Sequence, residues 1–397
     1  MMRNLNALLD GSMAGDVRVA LRGRKLLFVV NHAEFFLSHR LALALAAREV
    51  GMEVSIATSV TPGVAKLKEL GFAVHELPLA PGGMNPVQDL RLLFALIALY
   101  RRARPELVHQ VTIKPVMYGG IAARLTGVRA VVSAMSGLGY LYIAEAWWVR
   151  VLRFVLGFPL RWALRNPRVK LILQNPDDVA LFLKRGLVRS GQIEEVPGSG
   201  VDESVYAVTP EPTGDPTVVF PARLLWDKGI GEFVEAARRV KKRLPRARFL
   251  VAGAADRNNP RAVSDETVTE WVKSGAIEWL GQRDDMPAVL AAAHVVCLPS
   301  YREGLPKALI EAASCGRAIV STDVPGCREI VRHGVNGLLV PPRNAEALAR
   351  ALEKLLVSPE LRETMASAGR SLVLEKFTLR SVIEQTLLIY TKLLKTS

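Results

Sequence analysis

The chain has 397 residues, enough for about two domains, and half of them are hydrophobic, which excludes a disordered protein. Lys and Arg outnumber Asp and Glu by 52 to 38, and the formal charge of +14 suits nucleic acid, an anionic membrane surface or phosphorylated substrates. No nucleic-acid-binding module pattern accompanies that charge, so no nucleic-acid partner is expected. The three cysteines, Cys297, Cys315 and Cys327, are odd in number and form no C-x-x-C pair, so neither a disulfide framework nor a zinc site is expected and a reducing cytoplasm fits. Cys297 lies in an apolar run and reads as a buried thiol. The apolar segment at 5–9 is too short for a signal peptide, and no stretch reaches about 18 uncharged apolar residues, so no spanning helix is expected.

Residues 1–24 read as an N-terminal extension. The run 25–31 is continuously apolar and predicts a first strand, followed by a helix over 38–50 that Gly51 stops. A strand at 53–58, a helix at 62–70 ending at Gly71 and a strand at 73–77 follow. Further on come a helix at 86–103, a strand at 107–111, a helix at 116–125, strands at 130–133 and 169–174, a helix at 177–185 and a strand at 193–196. The stretch 199–215 is polar and rich in turn formers, which places a domain boundary near 205–215. The alternation then restarts: strand 217–221, helix 230–243, strand 248–253, helix 266–273, strand 277–280, helix 286–293, strand 295–299 and helix 307–315. Strands at 318–322 and 337–340 precede helices at 345–356, 359–376 and 379–394. Strands alternating with helices predict parallel sheets covered on both faces, here an α/β protein with two doubly wound, Rossmann-like domains facing a cleft. The domains are expected at 25–205 and 215–375, with a C-terminal helix at 376–397 packing back towards the first.

Two strand-to-helix junctions of the second half carry chemistry. One reads Tyr301-Arg302-Glu303-Gly304-Leu305-Pro306-Lys307. A glycine turn leads into a proline that opens a helix, and a helix N-terminus offers N–H groups and positive potential to a phosphate. Glu303 lies before that helix and Glu311 inside it, so the two carboxylates flank one ligand or are ordinary surface glutamates. The other junction, Phe220-Pro221-Ala222-Arg223-Leu224-Leu225-Trp226-Asp227-Lys228-Gly229, puts two cations at a strand end. They read as a grip on a diphosphate or as solvated loop charges.

Arg223-x4-Lys228 together with Glu303-x7-Glu311 resembles the GT-B retaining glycosyltransferases of family GT4. So do Glu311-Ala312-Ala313-Ser314-Cys315-Gly316 and Gly334-Val335-Asn336-Gly337-Leu338-Leu339-Val340-Pro341. The resemblance runs from residue 25 over nearly the whole chain and is most specific over 217–345. It implies that Arg223 and Lys228 bind the donor diphosphate and stabilise the leaving nucleotide, that Glu311 holds the ribose, and that Glu303 contacts the donor sugar. Backbone N–H groups of Gly304, Leu305 and Lys307 would face sugar and phosphate, and Gly253, Gly281 and Arg283 would frame the base. The donor would be a nucleoside-diphosphate sugar, with uridine the expected base, acting as a substrate and not a cofactor. No Asp-x-Asp occurs, so no metal is expected. A G-x-G-x-x-G, which a dinucleotide-dependent oxidoreductase would carry after the first strand, is also lacking.

On the acceptor side, Leu107-Val108-His109-Gln110-Val111-Thr112-Ile113-Lys114-Pro115 and Ser136-Gly137-Leu138-Gly139-Tyr140 resemble the GT4 branch that extends undecaprenyl-diphosphate-linked sugars. A lipid-linked saccharide is therefore the expected acceptor, with His109 near the reacting groups and Lys114 and Glu34 as acceptor contacts. The Gly-Gly turn of many relatives is replaced by Asn31-His32-Ala33-Glu34. Over 145–165, Arg150, Arg153, Arg161 and Arg165 share one helix face, within about 120° at about 100° per residue. Trp148, Leu152, Val155 and Trp162 oppose them. The segment reads either as a lipid-interface helix or as a core-packed helix with an exposed Arg face, and a basic helix end at Arg101, Arg102 and Arg104 adds charge nearby. The expected location is peripheral, at the cytoplasmic face of the inner membrane. A soluble GT4 enzyme with a small acceptor and a non-catalytic GT-like scaffold are the alternatives; the scaffold reading expects the loss of a gripping residue, and none is lost.

Overall fold

A computed structural model describes residues 14–79, 85–135, 147–256 and 259–395, with the backbone alone over 147–155. The chain folds as two compact units, divided between Ser199 and Gly200 and again between Leu379 and Arg380.

The first unit is a seven-stranded sheet of β1 (Lys25–Val29), β2 (Glu53–Thr58), β3 (Ala73–Glu76), β4 (Leu107–Val111), β5 (Ala130–Ala134), β6 (Val169–Leu173) and β7 (Ile193–Glu195). All neighbours are parallel, and the spatial order is β3-β2-β1-β4-β5-β6-β7. The central strands are buried along both faces, which is why KLLFV, LVHQV and AVVSA read as unbroken runs rather than alternating ones. The helices are α1 (Ala14–Leu21), α2 (Ala33–His39), α3 (Leu41–Glu49), α4 (Gly63–Glu69), α5 (Pro86–Ala103), α6 (Gly120–Thr126), α7 (Trp147–Leu164) and α8 (Pro176–Lys184). Chain continuing past the second unit supplies most of α16 (Leu379–Lys395) to this one.

The second unit is a six-stranded parallel sheet of β8 (Thr217–Phe220), β9 (Arg248–Ala252), β10 (Glu278–Gly281), β11 (Val295–Leu298), β12 (Ala318–Thr322) and β13 (Gly337–Val340), in the order β10-β9-β8-β11-β12-β13. Its helices are α9 (Ile230–Arg243), α10 (Asp265–Lys273), α11 (Met286–Ala291), α12 (Lys307–Ser314), α13 (Cys327–Ile330), α14 (Ala345–Leu356) and α15 (Pro359–Lys376). Phe220, Phe233 and Phe249 anchor its core, with ring centroids 5.2 and 5.6 Å apart in successive pairs. The α/β expectation of two doubly wound sheets is met in both units.

Several local expectations change. Residues 14–24 are not merely an extension: α1 forms because Val17 and Leu21, one turn apart, are buried. The helix expected at 38–50 is two helices, broken at Arg40, which sits outside helical geometry with φ −131°. The helix expected at 116–125 begins as a π-helical turn, Pro115–Gly119. Division of the chain falls at Ser199/Gly200 rather than within 205–215. Buried arginines draw the polar segment onto the second unit: Arg317 donates to Thr209 and Pro210, and Arg362 to Glu211. All three cysteines are free thiols and buried.

Candidate functional site

The order of the second sheet reverses at β8. Chain order runs outward through β9 to β10 on one side, and β11 starts the other side. Loops leaving the carboxyl ends of β8 and β11 diverge there, which is where open α/β sheets hold ligands. Arg223 and Lys228 leave β8; Glu303 leaves β11.

Two glycines let these loops close on one another. Gly229 has φ 74°, and a Cβ on it would lie 2.0 Å from the Pro299 carbonyl oxygen. A Cβ on Gly253, after β9, would lie 1.9 Å from the Ala222 carbonyl oxygen. No side chain fits at either point, so the β11 and β9 loops both press against the β8 loop. The Tyr301 N–H adds a 2.9 Å hydrogen bond to the Asp227 carbonyl.

Each approach carries an ion pair. Lys228 Nζ donates to Glu303 Oε1 at 2.6 Å, with side chains 24% and 11% exposed. Ser300 Oγ donates to the same oxygen at 2.6 Å, and Thr322 Oγ1 in turn donates to the Ser300 carbonyl. Arg223 Nη1 donates to Asp256 Oδ2 at 2.6 Å on the other flank of β8, its side chain mostly exposed. Arg261 donates from Nε and Nη2 to Asp227 Oδ1, at 3.1 and 2.9 Å, and so braces the turn between Arg223 and Lys228. Exposed pairs add about 0–1 kcal/mol to stability, so the Arg223 pair orients a cation more than it holds the fold.

Glu311 lies in α12 and is buried. Lys307 Nζ approaches its Oε1 at 3.2 Å, and the Tyr206 hydroxyl hydrogen-bonds it. Burial, followed by the Glu311 charge, pushes the Tyr206 pKa up. Ser314 Oγ and Arg370 Nη1 both donate to the Tyr206 carbonyl and hold that residue against α12. The two glutamates therefore stand apart, each with its own lysine. Leu305 is buried and Pro306 takes the N-cap position of α12. Gly281 has φ 71° at the end of β10. Arg283 is exposed and held by Asp285 in a two-pronged contact at 2.8 and 2.5 Å, which pulls the Asp285 pKa down. Asp227, Asp256, Arg261, Ser300 and Tyr206 join the constellation without having been singled out; the acidic residues just beyond β8 and β9 were the available signal.

The first sheet reverses between β1 and β4. His109 pairs with Phe28 in register and stacks on it at 5.1 Å. Its Nδ1 lies 2.5 Å from the Tyr390 hydroxyl of α16, and burial, with the Arg40 charge second, keeps its pKa well below the ordinary histidine range. In the middle of β4 at His109 Nε2, at the end of β2 at Thr58 Oγ1, and just past β1 and β4 at Asn31 Oδ1 and Thr112 Oγ1, buried atoms have no hydrogen-bond partner among the described residues. Thr112 also takes φ 76°, costly for a β-branched residue and of the kind held at functional sites.

Lys114 is not a lone cation. Its Nζ donates to Asp89 Oδ1 of α5 at 2.8 Å, and Tyr118 bonds the same carboxylate. Glu34 accepts from the Gly63 N–H at 2.9 Å and closes the first turn of α4. Burial raises its pKa, but hydrogen bonds from its own backbone, Gly63 and Thr61, with the His32 charge, outweigh that and hold it low. Residues 136–140 lie outside the described residues. In the described part of α7, Leu160, Ala163 and Leu164 are buried, while Arg161 donates to the Arg185 carbonyl. Arg124 lies 4.8 Å over the Trp162 ring. No described helix is long and apolar enough to cross a membrane.

Residues 202–372 match the family described as "Glycosyl transferases group 1", and residues 25–161 match "Glycosyl transferase 4-like". The chain is 26% identical over 351 residues to N,N'-diacetylbacillosaminyl-diphospho-undecaprenol alpha-1,3-N-acetylgalactosaminyltransferase of Campylobacter jejuni, covering 85% of this chain and 91% of the relative. It is 26% identical over 293 residues to UDP-Gal:alpha-D-GlcNAc-diphosphoundecaprenol alpha-1,3-galactosyltransferase of Escherichia coli, covering 70% and 73%. Among solved structures it resembles Anabaena Alr3699/HepE in complex with UDP and glucose, with TM-score 0.74, 19% identity, and coverage of 93% and 100%.

Proposed function

Because this chain belongs to the group 1 glycosyltransferases of family GT4, with a GT-B fold, we propose that it is a retaining, metal-independent transferase moving a hexose or N-acetylhexosamine from a UDP-sugar to a polyprenyl-diphosphate-linked saccharide. The observation that carries this reading is the pair of cations flanking β8 at the strand-order reversal, each held by a carboxylate from a neighbouring loop. Lys228 and Arg223 would meet the donor diphosphate and stabilise the charge that grows on it as the glycosidic bond breaks. Glu303 would keep Lys228 aimed and accept hydrogen bonds from sugar hydroxyls, and Glu311 would do so from the ribose. Backbone N–H groups of Gly304, Leu305 and Lys307 would line the phosphate and sugar. In front-face displacement, the leaving diphosphate oxygen takes the proton of the incoming hydroxyl while that hydroxyl bonds the anomeric carbon. The protein's part is then mainly positioning and charge stabilisation.

On the acceptor side the reading rests on Asn31, Thr58, His109 and Thr112, whose buried polar atoms in and just past β1, β2 and β4 lack partners among the described residues and suit a hydroxyl-rich ligand. The Campylobacter and Escherichia relatives both carry diphosphoundecaprenol-linked acceptors in their names. A peripheral position at an anionic membrane, facing the cytoplasm, belongs to the same proposal. Helix α5 supports it: Val87, Leu90 and Phe94 are exposed large apolar residues, with exposed Arg91, Arg101 and Arg102 on the same side. None of these arginines has a carboxylate partner among the described residues.

Radiolabelled UDP-sugars offered with undecaprenyl-diphosphate-linked acceptors test the proposal. Transfer with retained anomeric configuration, undiminished by EDTA, is the expected result. Inversion, or loss of turnover on chelation, would overturn the mechanism.

A further inference from the structure

We infer that Tyr390 fixes the tautomer of His109, so that His109 presents a permanent Nε2–H donor to substrate rather than a base. Tyr390 is then a positioning residue that acts through His109 from the far end of the chain. Proton counting leads there. A tyrosine hydroxyl has one proton, a neutral imidazole has one, and the Nδ1 to hydroxyl distance of 2.5 Å requires one of them between the two atoms. If Nδ1 carried it, the Tyr390 O–H and the Nε2 lone pair would both be left without partners in a buried site. If the hydroxyl donates to Nδ1, only the Nε2–H remains to be met. Nε2 is the ring atom that lacks a partner among the described residues. Burying a polar group without a partner is unfavourable, so one such group is preferred to two.

The surroundings keep the ring neutral. The titratable and charged groups that face it are Arg40, from the junction of α2 and α3, and Tyr390, from α16. Arg40 is buried, donates to the His39 carbonyl and has no carboxylate partner among the described residues, so its charge opposes a second proton on the ring. Phe28 covers one ring face at 5.1 Å, and the Tyr390 ring meets the edge at 88°. A ring clamped on two sides and protonated at one nitrogen holds a donor in a set direction. That donor sits on β4, next to the reversal of the first sheet, where Asn31 and Thr112 also keep polar atoms without a partner among the described residues. A substrate oxygen, as hydroxyl or phosphate, is the partner this chemistry fits. Only that last step rests on reading the protein as a transferase.

Long-range ¹H–¹⁵N correlation spectra of the full-length protein labelled with ¹⁵N-histidine test the tautomer, with His109→Asn assigning the resonances. The expected result is an unprotonated Nδ1 and a protonated Nε2, unchanged between about pH 5.5 and 8.5. A proton on Nδ1, or a ring that titrates in that range, overturns the inference. Tyr390→Phe, if folded, should show mixed tautomers and a kcat lowered about tenfold, with KM for the nucleotide sugar nearly unchanged. An unaltered ring spectrum in that variant also overturns it. His109→Ala and Lys228→Ala separate the two levels: full transfer by the first alone removes the substrate-donor role, and full transfer by both removes the transferase site.

Discussion

Lys228 and Glu303 show what a close pair at a loop junction does at the residue scale. They hold each other at 2.6 Å while remaining partly open to ligand. Removing Lys228 should lower kcat/KM for transfer about 10²–10³-fold, the usual loss for one preorganised charge-stabilising donor, with little change in thermal midpoint. Steady-state kinetics with a UDP-sugar check this, and an unchanged kcat/KM would remove Lys228 from the site. Gly253 predicts the opposite pattern. Gly253→Ala forces a Cβ against the Ala222 carbonyl, so it should destabilise by about 1–3 kcal/mol or more in denaturant melts, because overpacked sites relax only by moving backbone. A midpoint equal to wild type would mean that the β8 and β9 loops are not packed as described. Arg223, Lys228 and Glu303 were visible in the chain as charged residues at strand-to-helix junctions, and Glu311 as a carboxylate inside the helix that follows one of them. Their partners were not: acidic residues just beyond β8 and β9 were visible, but nothing local says that Asp256 meets Arg223 or that Tyr206 meets Glu311.

At the scale of elements, the strands were legible because parallel strands buried on both faces must be continuous apolar runs. Helix boundaries were less so. Arg40 interrupts a stretch that looks helical throughout, and the π-helical turn before α6 has no periodic signature of its own. The membrane reading moved between elements. Sequence periodicity drew attention to 145–165, but the described end of α7 is committed to the protein through Leu160, Leu164 and Arg161. Helix α5 is the one that leaves Val87, Leu90 and Phe94 in solvent, at i, i+3 and i+7, while Leu92, Leu96 and Leu99 face the core. Replacing Leu90 and Phe94 by Ser should sharply reduce pelleting with anionic vesicles and leave neutral vesicles unbound throughout, with binding weakened by salt. Wild-type pelleting by the double variant would sink the assignment to α5.

Across the whole molecule, one strand order, with the first strand central and the chain reversing at the fourth, is used twice. The segment after Gly200 is bound to the second unit by buried arginines. Arg362, 5% exposed, grips Glu211 with two bonds of 2.8 Å, and this first of all holds the Glu211 pKa below the ordinary carboxylate range. A depressed carboxylate stabilises the fold at pH above its unfolded pKa, and that contribution is lost as pH falls through the folded value. Acid unfolding of wild type should therefore be steeper below about pH 4.5 than that of Glu211→Gln, which should already be less stable at neutral pH by about 1–3 kcal/mol. Parallel acid limbs in urea melts would remove Glu211 from this role.

The sequence by itself determined the α/β class, the two parallel sheets and the loops that bear the candidate donor residues, because burial patterns and turn chemistry are written locally in the chain. Tertiary structure alone decided that Lys228 meets Glu303 across 75 residues and that Tyr390 meets His109 across 281. It also decided that Lys114 and Glu34 are engaged by Asp89 and Gly63, and that Asn31, His109 and Thr112 keep polar atoms without a partner among the described residues near the reversal of the first sheet. The physical reason is that a side chain's partner, exposure and protonation depend on what the fold brings beside it, and no local pattern encodes that neighbour.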